Sequence, residues 1–161
     1  SFIGLQILKG KIKVNNKMSK FFIKKYYEPD LQLKFINNLL RLANTSIDIS
    51  DGLIDDLNKM INRQNFSFHI FEEKIPISKT LNQLIKIKKL KKIEIISRGD
   101  DYQILFTADH AKSRIIQKIS KITGVKITKI GKIISGKNRS KIVNEKDKQI
   151  EAKNKGYIHQ F

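Results

Sequence analysis

Apolar residues recur along this chain with two different periods, and the two alternate without any repeating unit. Leu31, Phe35, Ile36, Leu39, Leu40 and Ala43 fall at helical spacing, as do Ile115, Ile116, Ile119 and Ile122. Thr45–Ile49 and Phe66–Phe71 instead alternate as strands do, with Phe66, Phe68 and Ile70 on one face and His69 on the other. A chain that mixes the two must bury helical stripes against sheet faces. The expected fold class is therefore α+β, a mixed sheet covered by helices on at least one face. At 161 residues with no break in composition, residues 1–161 are expected to form a single domain.

The remaining elements follow from caps and breakers. Ser1 to about Lys9 reads as a helix that begins without a capping segment, as though cut from something longer. Gly10–Lys17 reads as a loop; Ser19 is placed to cap a short helix through Tyr27, and Asp30 to cap the next. Asp51-Gly52 makes a turn into a helix from Leu53 to about Arg63, and Ser78 caps another reaching about Lys88. Ile93–Ile96 is a short apolar run, followed by a loop, Ser97–Asp101, and a strand, Tyr102–Thr107. Gly124 stops the helix Ala108–Thr123, and Val125–Ile134 and Lys141–Val143 carry strand patterns. No run of apolar residues is long enough for a membrane-spanning helix, and no signal peptide is visible at the start. Cysteine is absent, which excludes disulfides and thiolate metal sites and is compatible with a cytoplasmic location.

Charge is the loudest compositional feature, with 33 basic against 15 acidic residues and a net charge of +18. Nucleic acid is the obvious partner for such a chain. Two features weigh against it. Five of the basic residues are arginine, the better residue for bidentate phosphate contacts, and the lysines are spread along the chain. A solvated lysine coat is the simpler reading.

Against that coat, two stretches without Lys or Arg stand out. The first, Leu42 to Asn58, holds Asp48, Asp51, Asp55 and Asp56; the second, Gly99 to Ala111, opens with Asp100-Asp101. Carboxylates are hard oxygen donors suited to Mg²⁺, and a cation site gains from keeping ammonium groups away. On a strand, Asp48 and Ser50 project to one side while Ile47 and Ile49 enter the core. Asp51 then sits at the strand-to-helix turn, Gly52 allows close backbone approach to a ligand, and the helix start offers free N–H groups to phosphate oxygens. The alternative is that Ser50 or Asp51 simply caps the helix; Asp55 and Asp56 are assigned to the helix dipole. The turn Ser97–Tyr102 reads, by itself, as solvated. Gly131, Gly136 and Lys137 have the spacing of a phosphate-cradling loop, but Asn138 stands at the Ser/Thr position and a strand lies between the glycines, so the match is coincidence. His69, His110 and His159 have no ligand spacing, and no catalytic Ser/His/Asp arrangement is present.

The segment Ser46-Ile47-Asp48-Ile49-Ser50-Asp51-Gly52-Leu53, followed by Asp55-Asp56-Leu57, resembles the hallmark of thiamine-monophosphate kinases. Further blocks follow in that family's order. Ile75-Pro76-Ile77-Ser78 resembles its Leu-Pro-Leu-Ser, and Ser97 to Thr107 resembles Ser-Gly-Gly-Glu-Asp-Tyr-Glu-Leu-Leu-Phe-Thr. Ile130-Gly131-Lys132-Ile133 resembles the Ile-Gly-Xaa-Ile strand, and Gly156 to Phe161 the closing Gly-Tyr-Asp-His-Phe. The resemblance implies the fold of the C-terminal domain in the aminoimidazole ribonucleotide synthetase superfamily. It also implies a reaction in which the γ-phosphate of ATP moves to thiamine monophosphate with Mg²⁺ present. Asp48 and Asp51 would then bind Mg²⁺, Ser50 would contact ATP, Asp100 the thiamine substrate, and Tyr157 the substrate's ring. The family's N-terminal domain, which carries most nucleotide and metal ligands and the dimer core, has no counterpart among these blocks. Arg98 stands for a glycine, Asp100 for Glu, and Ile158 for Asp, and Gln160 is inserted between His159 and Phe161. A non-catalytic remnant or binding module of the same fold is the alternative these departures raise.

Overall fold

The computed structural model describes residues 1–62 and 64–152. Its N-terminal part is helical. Helix α1 (Phe2–Leu8) packs on α2 (Asn16–Tyr27), and they approach so closely that a Cβ on Gly4 would lie 2.3 Å from the carbonyl oxygen of Phe22. Ile3, Met18 and Phe22 from this pair share a small core with Leu84 of α5 (Lys79–Lys88). Helix α3 (Leu33–Leu42) leads into β1 (Thr45–Asp48), which pairs antiparallel with β3 (Ile104–Thr107).

A second sheet has the order β4-β2-β5-β6 and is mixed. Strand β2 (Phe66–Phe71) lies antiparallel to β4 (Gly131–Ser135) and parallel to β5 (Lys141–Val143), whose other edge carries β6 (Gln149–Ile150). Both sheets close on one core through α4 (Leu53–Ile61). Leu53, Leu57 and Met60 form the apolar stripe of that helix, and they meet Phe68 and Ile70 of β2, Ile142 of β5, Leu105 of β3, and Ile93 and Ile96 of α6 (Lys92–Ile96). Each such side chain contributes about 1.5–3 kcal/mol of burial. Helix α7 (Ser113–Thr123) follows a 3₁₀ turn at His110–Lys112 and ends at Gly124, whose φ of 69° suits glycine. The α+β class expected from the two apolar periods is what forms. Among the described residues, no helix is long and apolar enough to cross a membrane.

Several boundaries differ from the sequence reading, each for a local reason. Helix α2 starts a turn earlier than Ser19, because the Asn15 side chain accepts from the Met18 N–H at 2.9 Å and caps it. Asp30 does not cap α3; its carboxylate pairs with Lys25 instead, and the helix begins at Leu33 after Gln32 with no side-chain cap. The apolar run at Ile93–Ile96 is a short helix, which puts Ile93 and Ile96 together in the core. Strand β4 covers only the second half of Val125–Ile134 and extends to Ser135. Gly131 lies in that strand opposite Ile70, as expected of a residue outside any phosphate loop.

Candidate functional site

The two acidic stretches are neighbours in space because β1 and β3 are neighbours in a sheet. The register sets Ile47 opposite Leu105 and Asp48 opposite Ile104. Pairing then continues past the strand ends. Ile49 N–H donates to the Gln103 carbonyl at 2.9 Å, and the Ile49 carbonyl accepts from Tyr102 at 2.8 Å and Asp101 at 3.2 Å. The Ser50 carbonyl accepts from the Asp100 N–H at 2.8 Å. Ile47 and Ile49 pack against the main core, and Asp48 between them is exposed. The alternation expected for this segment is therefore realised.

Two glycines let the turns touch. A Cβ on Gly99 would lie 1.8 Å from the Ser50 carbonyl oxygen, and one on Gly52 would lie 2.4 Å from that of Ser97. Gly52 thus gives close approach to another turn of the chain, where the sequence suggested approach to a ligand. Its φ of 125° also suits glycine alone. On the facing turn, Asp100 and Tyr102 hold positive φ values of 66° and 52°. Asp tolerates that region; for Tyr it is an outlier, and such strain gathers at ligand sites and switches.

The residue that shapes the turn was assigned by the sequence only to the helix dipole. Asp56 is fully buried, and its Oδ2 accepts from the N–H groups of Ser50 at 3.1 Å, Asp51 at 3.1 Å and Gly52 at 3.2 Å. Three successive amides form a concave anion nest, and this carboxylate fills it. Those three turn N–H groups are therefore engaged within the chain and are not offered to a ligand. Neither Ser50 nor Asp51 caps α4, whose N-cap is Gly52 without a side-chain bond. A signal for Asp56 exists in the sequence: it falls on the Leu53–Leu57–Met60 stripe, the face of the helix that must be buried.

Lys59 completes the arrangement. Its ammonium donates to Asp56 Oδ1 at 3.0 Å and also pairs with the carboxylate of Asp51. The hydrogen bond to Asp51 is the main cause that holds the Lys59 pKa above its ordinary value, against an opposing effect of burial. The sequence ended the basic-free stretch one residue before Lys59, and the helix folds that residue back onto it.

Asp48, Ser50 and Asp51 thus follow one another from strand end into turn, and Asp100 is tied to Ser50 through its backbone. Tyr157 lies outside the described residues. Arg98 turns toward α1, its guanidinium 5.1 Å from the Phe2 ring centroid. The donor set suits Mg²⁺ in kind, since it is made of hard oxygens, and the corner at Asp51 and Asp56 already holds one cation in the form of the Lys59 ammonium. Among the described residues, no group of three or more His, Asp or Glu side chains gathers into a metal cage. A cleft of about 690 Å³ lies elsewhere, bordered by Glu72, Pro76, Lys92, Lys126 and Glu145, and none of the four site residues lines it.

This arrangement can be compared with known proteins. No family model matches the chain. A thiamine-monophosphate kinase from Buchnera aphidicola subsp. Schizaphis graminum is 32% identical over 160 residues, which is 99% of this chain and 49% of that protein. One from Aquifex aeolicus is 31% identical over 112 residues, 69% of this chain and 36% of its own length. Over the length it spans, the chain is homologous to the thiamine-monophosphate kinases. The crystal structure of thiamine monophosphate kinase from Aquifex aeolicus superposes with a TM-score of 0.71 at 25% identity, covering 92% of this chain and 46% of that one. AaThiL complexed with AMPPCP and TMP gives the same TM-score, 0.71, at 24% identity, covering 96% and 47%, and it supports the fold. The fold is the one expected for the aminoimidazole ribonucleotide synthetase superfamily. The chain spans about half the length of the curated relatives it matches.

Proposed function

We propose that the chain is the C-terminal half of a thiamine-monophosphate kinase, acting with an N-terminal half to move the γ-phosphate of ATP to thiamine monophosphate. The observation that carries this reading is the junction of the two acidic stretches, Asp48-Ile49-Ser50-Asp51 bonded to the Gly99–Asp101 turn, in a chain that the kinase relatives match along 99% of its length. Phosphoryl transfer needs little covalent chemistry from the protein; it needs charge and position. Asp48 and Asp51 would hold Mg²⁺, which when bound offsets the charge of the phosphate oxygens. The Ser50 hydroxyl would donate to a nucleotide phosphate oxygen. Asp100, on the strained facing turn, would orient the thiamine substrate, and Tyr157 would wall its ring. With two carboxylates on this rim, further metal and nucleotide ligands belong to the N-terminal half. A homodimer built on that half and a cytoplasmic location complete the proposal.

The test is thiamine diphosphate formation from thiamine monophosphate and Mg²⁺–ATP. The full chain alone and the full chain mixed with a purified N-terminal half of a relative are compared. Product is expected only from the mixture, and neither Asp48→Asn nor Asp51→Asn should support it. A mixture that associates and binds nucleotide but forms no product would instead support the non-catalytic remnant.

A further inference from the structure

The proposed metal ligand Asp51 already has a cation against it. Lys59 reaches it from the second turn of α4, and the same ammonium is 3.0 Å from Asp56 Oδ1. The three groups differ in their freedom. Asp56 is fully buried and is held by three backbone N–H donors whether or not Lys59 is present. The Asp51 side chain is 21% exposed and that of Lys59 47% exposed, so this contact lies at the solvent edge. A long, flexible lysine at such an edge can leave Asp51 at modest cost, while the buried carboxylate of Asp56, bonded to the same ammonium, stays fixed.

We propose that Lys59 is a built-in competitor for the divalent cation at Asp51, an ammonium that the ion must displace before it can bind. The inference rests on the reading of Asp51 as a metal ligand and adds to it what occupies that ligand beforehand. An ammonium and a divalent ion cannot both sit on one carboxylate without like charges meeting within a few ångströms. Divalent affinity is therefore set by a competition within the chain. In the resting arrangement Lys59 neutralises Asp51; when the ion binds, the lysine is released toward solvent, at the edge where the anionic nucleotide would lie. The same residue would then favour anion binding only after the cation has arrived, which makes the order of binding cation first.

The experiment is a titration of the full chain with Mn²⁺, a probe of hard oxygen sites, followed by loss of the free-ion electron paramagnetic resonance signal. Lys59→Met and Lys59→Gln should both tighten Mn²⁺ binding by about two- to fivefold, the upper part of the range for removing one exposed ion pair. Lys59→Arg, which keeps the charge, should bind as the unaltered chain does. Adding Asp51→Asn to Lys59→Met should remove the gain. If the unaltered chain binds Mn²⁺ and the two neutral variants bind no more tightly, competition by Lys59 is overturned while the metal reading of the site stands. A gain that survives Asp51→Asn also overturns it. Failure of the unaltered chain and all variants to bind Mn²⁺ saturably overturns both.

Discussion

At the scale of single residues, the site depends most on a side chain that would touch neither substrate nor metal. Asp56 holds Ser50, Asp51 and Gly52 in one conformation by accepting their three N–H groups on one oxygen. With its other oxygen it accepts from Lys59. Removing it leaves three amides without their acceptor in a buried place and Lys59 with one partner fewer. Asp56→Ala is therefore expected to destabilise the fold by about 3–5 kcal/mol, as when one member of a buried charge-paired network is deleted. Asp56→Asn should recover little, because the amide nitrogen would either face the Lys59 ammonium or face the nest. Urea unfolding measures both. A loss below about 1 kcal/mol for the alanine variant would show that the nest is satisfied by other means. The exposure of Asp48 was legible from alternation alone, because the period of a strand decides which side chains leave the core. Asp56 was not read, because a carboxylate in the first turns of a helix is ordinarily explained by the dipole. The discriminating fact was its place on the apolar stripe. Lys59 was missed for another reason: charge was read along the sequence, and a helix brings a residue two turns away back to its start.

At the scale of elements, legibility followed the strength of local chemistry. Ser78 caps α5 by accepting from the Leu81 N–H at 3.0 Å, and Gly124 ends α7, both as the sequence indicated. Asn15 was read as part of a loop and Ser19 as the cap of α2, and the asparagine takes that place because its side chain reaches the Met18 amide. The sheet order was not readable, since the parallel pairing of β2 with β5 joins segments some seventy residues apart and no local pattern encodes it. Helix α3 shows how an apolar run divides between core and surface. Leu42 is 1% exposed and Leu40, two residues earlier, is 92% exposed, though the two are chemically identical. Rotation by two residues carries a side chain to the other face of a helix. Leu42→Ala should cost about 2–5 kcal/mol and Leu40→Ala less than about 0.5 kcal/mol in the isolated chain. Equal losses in thermal or urea unfolding would refute the orientation of α3.

At the scale of the whole molecule, charge decides what the fold must tolerate. Even with each of the 15 acidic residues paired, 18 positive charges remain without a partner. Several acids are also committed locally: Asp56 to the turn and Lys59, Asp51 to the same lysine, Asp30 to Lys25. Native compactness holds the unpaired lysines closer together than they are in the unfolded chain, so their mutual repulsion opposes folding. Screening shortens that repulsion to about 8–10 Å near 0.1–0.15 M salt, and it weakens the few exposed attractive pairs at the same time. Because unpaired positive charges outnumber pairs, the first effect wins. Raising sodium chloride from about 0.01 M to about 0.15 M should stabilise the isolated chain by about 1 kcal/mol, or roughly 2–4 °C in Tm. Chloride is the appropriate anion, since sulfate would add exclusion from apolar surface and mimic a bound phosphate. The acidic rim is the exception within this field. There the local pairs dominate, so Asp56→Ala should increase the salt gain by removing a carboxylate that now offsets part of the repulsion. A Tm that falls with added chloride would mean that the lysines are paired more extensively than an 18-charge excess permits.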